Sequence, residues 1–563
     1  MPSRRNFLET AAASALGISL PVGTLPSQPQ RRGRGGIAPE PGTFIDVRRV
    51  PDQVSVRLAT GHQQLRRTAS DRWESARITV ITSAAEDALA IQLAAPAAAV
   101  ERIQLRWNGQ LDGLLLILGD AWERGYGDLE WRGFVPDRVM PWYAAGFDGA
   151  LTHAWGVRTG ASAFCFWQLD PRGITLSADV RSGGRGVELG TRLLDLCQVL
   201  CRAGQPEESS FQAVHSFCGM MCPSPRLAPE PVYGSNDWYW AYGKNSAASV
   251  LADAGHIVEL SPQVANRPFV VIDDGWQPER SARGGNVGRW DRGNEKFPDL
   301  PDLAASIRER GARPGIWIRP LLAPDGTPKS WRLPRDEKIL DPSIPDVRQK
   351  VAADIARLRR WGFELVKHDY STVDILGRWG FEMEPDLTKG GWTFAGGPTR
   401  TTAEVINDFY GTIRNAAEDA LVIGCNTVSH LSAGQFELCR AGDDTSGTDW
   451  ARTRKMGVNT LAFRGAQHGA MYGVDPDCVG VTNEIPWSLN RRWLDLAARS
   501  GTMLFVSLAP DALDEARRRD LRSALAIAAA PQPLGEPLDW QHTTWPTRWR
   551  LMASTRTYDW ISE

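Results

Sequence analysis

The sequence contains no CxxC pair and no HExxH motif, although it holds eight cysteines, Cys165, Cys197, Cys201, Cys218, Cys222, Cys425, Cys439 and Cys478. Zinc sites are built on those spacings, so neither a metal site nor a cofactor is expected. Cys218 and Cys222 are a candidate disulfide in an oxidising compartment. No apolar run reaches the length of a membrane-spanning helix. Charge of one sign is missing too: 64 Lys and Arg stand against 66 Asp and Glu, a net charge of -2, with no long basic or acidic block. That balance excludes nucleic acid and anionic membrane surfaces as the main partners.

What the sequence has in excess is tryptophan, at 23 of 563 residues. An indole packs in an apolar core, and its face also packs on the C–H face of a pyranose. Position along the chain has to separate the two readings. A hydrophobic share of 42% is ordinary for a globular chain, and the length leaves room for two or three domains. Near the N-terminus, Arg4-Arg5 precedes Phe7-Leu8 and a modestly apolar stretch from Thr10 to Val22. This order resembles a twin-arginine export signal, which predicts a periplasmic or extracellular mature chain. Residues 23–42, rich in Pro, Gly and Arg, read as a disordered spacer, so residues 1–42 are set apart from the folded part.

Residues 43–225 carry short strand-like runs, among them Val54–Leu58, Ala76–Ile81, Ile103–Trp107 and Ala163–Trp167, punctuated by Gly, Pro and Asp. This texture predicts an antiparallel β-sandwich. Over residues 226–520 short apolar strands alternate with helical stretches such as Leu303–Arg310 and Val347–Trp361. The candidate strands are Val232–Tyr239, Pro268–Asp274, Pro314–Pro320, Glu364–Tyr370, Leu421–Asn426, Phe436–Gly442, Asn459–Arg464 and Met503–Ser507. Eight such strands predict a (β/α)8 (TIM) barrel. Residues 521–563, with Trp540, Trp545, Trp549 and Trp560, form a short C-terminal β-rich segment. The predicted fold is therefore multidomain, a sandwich followed by a barrel and a tail.

Chemistry in such a barrel sits at the C-terminal strand ends, where the βα loops converge on one mouth. The second strand ends in Asp273-Asp274-Gly-Trp276, and adjacent acids at a strand end point to different neighbours. Either acid alone also serves as a helix cap; the pair before Gly-Trp favours a ligand role. On the fourth strand Lys367 and Asp369 are two apart and share a face, so the ammonium keeps the carboxylate ionised, as a nucleophile requires. His368 points the other way and reads as a packed core residue. The sixth strand runs into Arg440-Ala-Gly-Asp443-Asp444, where one acid can cap while the other works. Carboxylates on alternate strands face each other across the mouth, the pair that glycoside hydrolysis needs. Asp475-Pro-Asp477 reads as support for that cluster.

Together these motifs resemble clan D glycoside hydrolases, most closely the family 36 α-galactosidases and their raffinose-synthase-like relatives. The carriers are Asp273-Asp274-Gly-Trp276, Gly315-Ile-Trp317-Ile-Arg-Pro320, Leu340-Asp-Pro-Ser-Ile-Pro-Asp-Val347, Lys367-His-Asp369, Arg440-Ala-Gly-Asp443-Asp444 and Asp475-Pro-Asp477. The resemblance implies a retaining glycosidase for terminal α-galactosides, with Asp369 as nucleophile and Asp443 as acid/base, Asp444 being the runner-up. It also implies a substrate-binding set: Asp273, Asp274, Trp276, Trp317, Lys367, Asn426, Arg440 and Asp444. There are departures. Ile318-Arg319-Pro320 stands where many relatives carry Glu-Pro-Glu, and Gly424-Cys425-Asn426 lacks their Gly-rich, Arg-containing loop. An α-N-acetylgalactosaminidase, a raffinose-synthase-like transglycosylase and a non-catalytic carbohydrate-binding protein stand as alternatives.

Overall fold

The computed structural model describes residue 40, residues 42–278 and residues 288–563. Apart from residues 40 and 42, the proposed export signal and spacer lie outside the described residues. From Gln53 to Arg202 the chain forms two large antiparallel sheets, of six and eight strands. The four runs picked from the sequence fall on Gln53–Leu58, Thr79–Ala85, Arg102–Asn108 and Phe164–Asp170. Alternation is what makes them strands: along Arg102–Asn108 the apolar Ile103, Leu105 and Trp107 are buried, while Gln104 and Arg106 are only partly so. The buried faces of both sheets and of helix Ser210–Met221 share one apolar core.

The second half contains a nine-stranded parallel sheet. Its members are β1 (Tyr233–Asn236), β2 (Phe269–Ile272), β3 (Arg313–Ile318), β4 (Leu365–His368), β5 (Leu421–Gly424), β6 (Leu438–Arg440), β7 (Gly473–Asp475), β8 (Val479–Val481) and β9 (Leu504–Leu508). They lie in the order β7-β6-β5-β4-β3-β2-β1-β9-β8. The edge strands β7 and β8 are pieces of one segment, parted only by Pro476, Asp477 and Cys478. The first piece pairs with β6 and the second with β9, so the sheet curls until its edges meet in that segment. Helices such as Ala247–Leu260, Leu300–Glu309, Pro345–Arg360 and Thr402–Ala417 provide the crossovers that parallel strands require.

One expected strand is absent. Asn459–Arg464 is helical, part of a run from Trp450 through Gln467 with a wide π turn at Arg454–Asn459. Asp449 caps the start of that run by accepting from the Arg452 amide, and the Thr460 hydroxyl bonds back to the Met456 carbonyl. Leu461, Ala462 and Phe463 are all buried, and a helix buried all round gives a continuous apolar stretch that periodicity cannot tell from a strand. The strand role passes to Gly473–Val481, which Pro476 interrupts.

Period two places the site. Phe269 and Val271 of β2, Leu365 of β4, Leu421 and Ile423 of β5, Leu438 of β6 and Phe505 of β9 form a separate inner core. Their neighbours Val270, Ile272, Val366 and Val422 belong to the outer core. The next positions in the inward register are Asp273, Lys367 with Asp369, Cys425 and Arg440, so the polar residues crown the inner core at one end. Near the C-terminus, Glu536–Pro537, Arg548–Leu551 and Ser554–Thr557 form a small antiparallel sheet. All eight cysteines are buried and free. Cys218 and Cys222 sit one helical turn apart, where Cβ atoms are about 5–6 Å distant, too far for a disulfide. No helix among the described residues is long and apolar enough to cross a membrane.

Candidate active site

On the β1–β2–β4 side of the mouth, Lys367 Nζ donates to Asp273 Oδ2 at 2.6 Å, and Asn236 Nδ2 donates to the same oxygen at 2.9 Å. The Asp274 amide occupies Asp273 Oδ1 at 2.9 Å. Burial opposes the charge on Lys367, but the Asp273 carboxylate outweighs it and holds the ammonium above its ordinary range. Asp237, just past β1, accepts from the Asp273 amide at 2.8 Å and from Asn245 Nδ2 at 2.9 Å. Burial, with the Asp273 charge beside it, pushes the Asp237 carboxyl up to about 7. Asp274 is only half-buried and accepts from Gln277 Nε2 at 2.6 Å. Of the two adjacent acids, Asp273 is thus committed to a buried ion pair, while Asp274 keeps part of its surface exposed.

Asp369 sits just beyond β4. Trp317 Nε1 donates to its Oδ2 at 3.0 Å and the Tyr370 amide to its Oδ1 at 2.8 Å. Both oxygens accept hydrogen bonds, the arrangement that favours a carboxylate over a carboxylic acid. Tyr370 adopts φ 69°, a left-handed conformation uncommon for a bulky residue, and it turns the chain into helix Ser371–Leu376. Arg319 braces the turn: it pairs with Asp374 at 3.0 and 2.5 Å and lies 4.2 Å from the Tyr370 ring centroid. Trp276, one of the substrate-binding residues that the resemblance implies, is packed one layer back. Its indole donates to the Trp317 carbonyl at 2.9 Å and rests against Trp290 and Trp361. Trp317 therefore touches Asp369, while Trp276 buttresses Trp317.

Past β6 the two adjacent acids differ sharply. Asp443 has both oxygens in ion pairs, with Arg124 Nη2 at 2.6 Å and Arg452 Nη2 at 2.7 Å. Asp444 has Arg440 Nη1 at 3.2 Å and Arg124 Nη1 at 3.9 Å from Oδ1, and it is the more exposed of the two. Arg440 is buried and also meets Asp475 Oδ2 at 3.2 Å and Asp477 Oδ1 at 2.9 Å. Asp477 accepts from the Thr445 amide at 2.7 Å, the Thr445 hydroxyl at 2.9 Å and the Tyr239 hydroxyl. Burial raises the Asp477 carboxyl against the pull of Arg440. Asp475 and Asp477 thus hold Arg440 under the cluster.

Sequence reasoning missed the contribution of the sandwich. Its loop 120–126 reaches the mouth, where the Gly125 amide donates to Ala441 O and the Asp443 amide to Gly125 O, each at 2.8 Å. The fully buried Glu123 accepts from the Gly380 amide at 2.8 Å and from Asn426 Nδ2 at 2.6 Å, and burial raises its carboxyl. Asn426, expected to bind substrate, is committed to this junction instead; its Oδ1 accepts from the Val373 amide at 3.3 Å. Glu123 and Asn426 lie 303 positions apart, and no spacing or motif links them. Among the described residues, no group of three or more His, Cys, Asp or Glu side chains is arranged to hold a metal ion.

No family model matches the sequence. Solved structures do match the fold. An α-galactosidase from Thermus thermophilus in complex with p-nitrophenyl α-D-galactopyranoside has a TM-score of 0.58 at 16% identity, over 90% of this chain and 99% of that one. A variant of the family 36 α-galactosidase AgaA from Geobacillus stearothermophilus, in complex with 1-deoxygalactonojirimycin, has a TM-score of 0.59 at 15% identity, over 84% and 75%. The α-galactosidase AgaB of the same organism gives 0.57 at 14% identity, over 80% and 66%. The chain accordingly shares the fold of the family 36 α-galactosidases, an N-terminal sandwich joined to a parallel barrel.

Proposed function

We propose that the protein is a retaining glycosidase that cleaves terminal α-galactosides through a covalent glycosyl-enzyme. The observation that carries this reading is the pair of carboxylate stations at one end of the barrel: Asp369 held by Trp317 and the Tyr370 amide, and Asp444 held by Arg440. The likeness of fold to enzymes in complex with a galactoside and 1-deoxygalactonojirimycin supports the choice of sugar. Asp369 attacks the anomeric carbon while the acid/base protonates the departing oxygen. The same acid/base then takes a proton from the water that opens the glycosyl ester, and configuration is retained.

We assign the acid/base role to Asp444 in preference to Asp443. Both oxygens of Asp443 are engaged by guanidinium groups, and Asp444 is the more exposed of the two side chains, 17% against 10%, and so the better placed to meet a leaving group. The half-buried Asp274 is the ligand for the sugar hydroxyls on the β2 side, and Lys367 and Arg440 are ligands for others. Export through the signal at Arg4-Arg5 belongs to the same proposal, with an oligosaccharide or glycoside met outside the cytoplasm.

The test is turnover of p-nitrophenyl α-galactoside, α-N-acetylgalactosaminide and α-glucoside, with the first product anomer read by NMR. Hydrolysis of the galactoside with release of the α-anomer is expected. Asp369→Ala is expected to abolish turnover on all substrates. Asp444→Ala is expected to lose about 10²- to 10⁴-fold on a natural disaccharide and far less on the activated aryl glycoside, which needs little protonation. Activity confined to the glucoside, or a β-anomer as first product, overturns the proposal. Products lengthened by an added sucrose acceptor identify the transglycosylase instead.

A further inference from the structure

The sandwich brings a cation to the barrel mouth, and its carrier loop is fastened on several sides. Arg464, fully buried, pairs with Asp120 through Nε at 2.9 Å and Nη2 at 3.3 Å. Its remaining donors reach the Glu123 carbonyl at 2.9 Å, the Ala441 carbonyl at 3.1 Å and Ser429 Oγ at 2.6 Å. Beyond it Gly125 exchanges backbone hydrogen bonds with the stretch after β6, and Glu123 is pinned by Gly380, Asn426 and Tyr126. Arg124 stands between these anchors, so its side chain is aimed by the backbone. Its guanidinium is buried, 2.6 Å from Asp443 and 3.9 Å from Asp444, and lies over the rings of Trp379 at 5.6 Å and Tyr126 at 5.8 Å.

Several charged and titratable groups face Asp444. Arg440 approaches from β6 and Arg452 from the helix that follows it. Asp443 adjoins it in sequence, Asp477 faces it from the β7–β8 segment, and Tyr239 and Tyr242 lie within electrostatic reach past β1. The carboxylates favour the protonated form of Asp444 and the guanidinium groups favour the ionised form. Arg440 and Arg452 belong to the barrel, whereas Arg124 comes from another part of the chain. Its presence therefore depends on the seating of loop 120–126.

We propose that Arg124 is a positioning residue for the acid/base: it holds Asp443 aside in an ion pair and sets the charge balance at Asp444, so the sandwich loop fixes the pH range in which the barrel works. The inference rests on the glycosidase reading and on Asp444 as its acid/base. The basic limb of kcat/KM against pH reports the loss of the proton the free enzyme needs for catalysis. Removing a cation close to Asp444 favours its protonated form, so that limb moves to higher pH.

Arg124→Met is expected to move the basic limb up by about one pH unit, the smallest shift usual for an opposite charge within 4–6 Å. Arg124→Lys restores the charge without the fork and is expected to bring most of the limb back. Asp443→Asn removes a carboxylate instead of a cation and is expected to move the limb downward, which keeps the test decisive should Arg124→Met fail to fold. Circular dichroism separates folded variants from unfolded ones. A limb that stays within about 0.2 unit of wild type in every folded variant, with only a uniform loss of rate, overturns the proposal and leaves the glycosidase reading intact. A wild-type protein that turns over no α-glycoside overturns the reading, and this proposal with it.

Discussion

At Lys367 two demands meet in one side chain. A buried ammonium is costly, and it persists here because Asp273 lies 2.6 Å away with its own oxygens satisfied by Asn236 and the Asp274 amide. Breaking such a pair from one side leaves an uncompensated buried charge, which costs about 3–5 kcal/mol. Lys367→Met is therefore expected to lower stability by that order in urea unfolding, and the double variant Lys367→Met/Asp273→Asn to recover part of it while remaining inactive. A double variant no more stable than the single one would refute the pairing. The half of this unit that is local was legible in the sequence: Lys367 and Asp369 share a face because they are two apart on a strand. The partner of Lys367 was not, since Asp273 lies 94 positions away and nothing in Asp273-Asp274 says which acid turns inward. The same limit explains Asp443 and Asp444, whose order is plain but whose roles divide only when Arg124 and Arg452 arrive.

At the scale of elements, short apolar runs ended by polar or turn residues marked the parallel strands even though β2, β4 and β5 are buried at every position, and these three lie inside the segments chosen for them. Asn459–Arg464 misled because a helix sealed on all sides loses its polar stripe. That same helical run carries Arg464, which anchors loop 120–126 through Asp120 and the Glu123 carbonyl. The anchor makes a measurable claim. Arg464→Met strands the buried Asp120, so a stability loss of about 3 kcal/mol or more is expected. Limited proteolysis should then cut near residues 120–126 before it cuts the barrel strands. The variant should also shift the basic limb of kcat/KM in the direction of Arg124→Met, because an unseated loop withdraws the Arg124 charge. Cleavage that begins in the barrel would show that the loop does not depend on this anchor.

For the whole molecule, buried titratable groups set how stability varies with pH. His368 lies among the rings of Phe409, Tyr410 and Phe436, neither ring nitrogen has a hydrogen-bond partner, and burial lowers it to about 3. His430, stacked 4.7 Å from Trp142, and His468 are both lowered by burial to about 4. Asp237 is raised to about 7, and Asp253, buried beside it, to about 8. For the histidines the unfolded chain binds more protons between their folded values and about 6.5, so stability is lost as pH falls below about 6.5. For the two carboxyls the folded chain binds more protons between about 3.9 and their raised values, so stability is lost as pH rises through that window. Above about pH 6.5 the histidines no longer act and only the carboxyl effect remains. The melting temperature is therefore expected to peak near pH 6.5 and to fall toward pH 8, each carboxyl contributing at most about 1.4 kcal/mol per pH unit. Asp253→Asn cannot ionise, and it is expected to flatten the alkaline fall and to steepen the rise on the acid side, because the carboxyl contribution it removes runs from about 3.9 to about 8. His368→Phe keeps the aromatic packing and is expected to flatten the acid side alone. Differential scanning calorimetry from pH 4 to pH 8 reads both slopes, and an alkaline slope that survives Asp253→Asn in full would remove that carboxyl from the account.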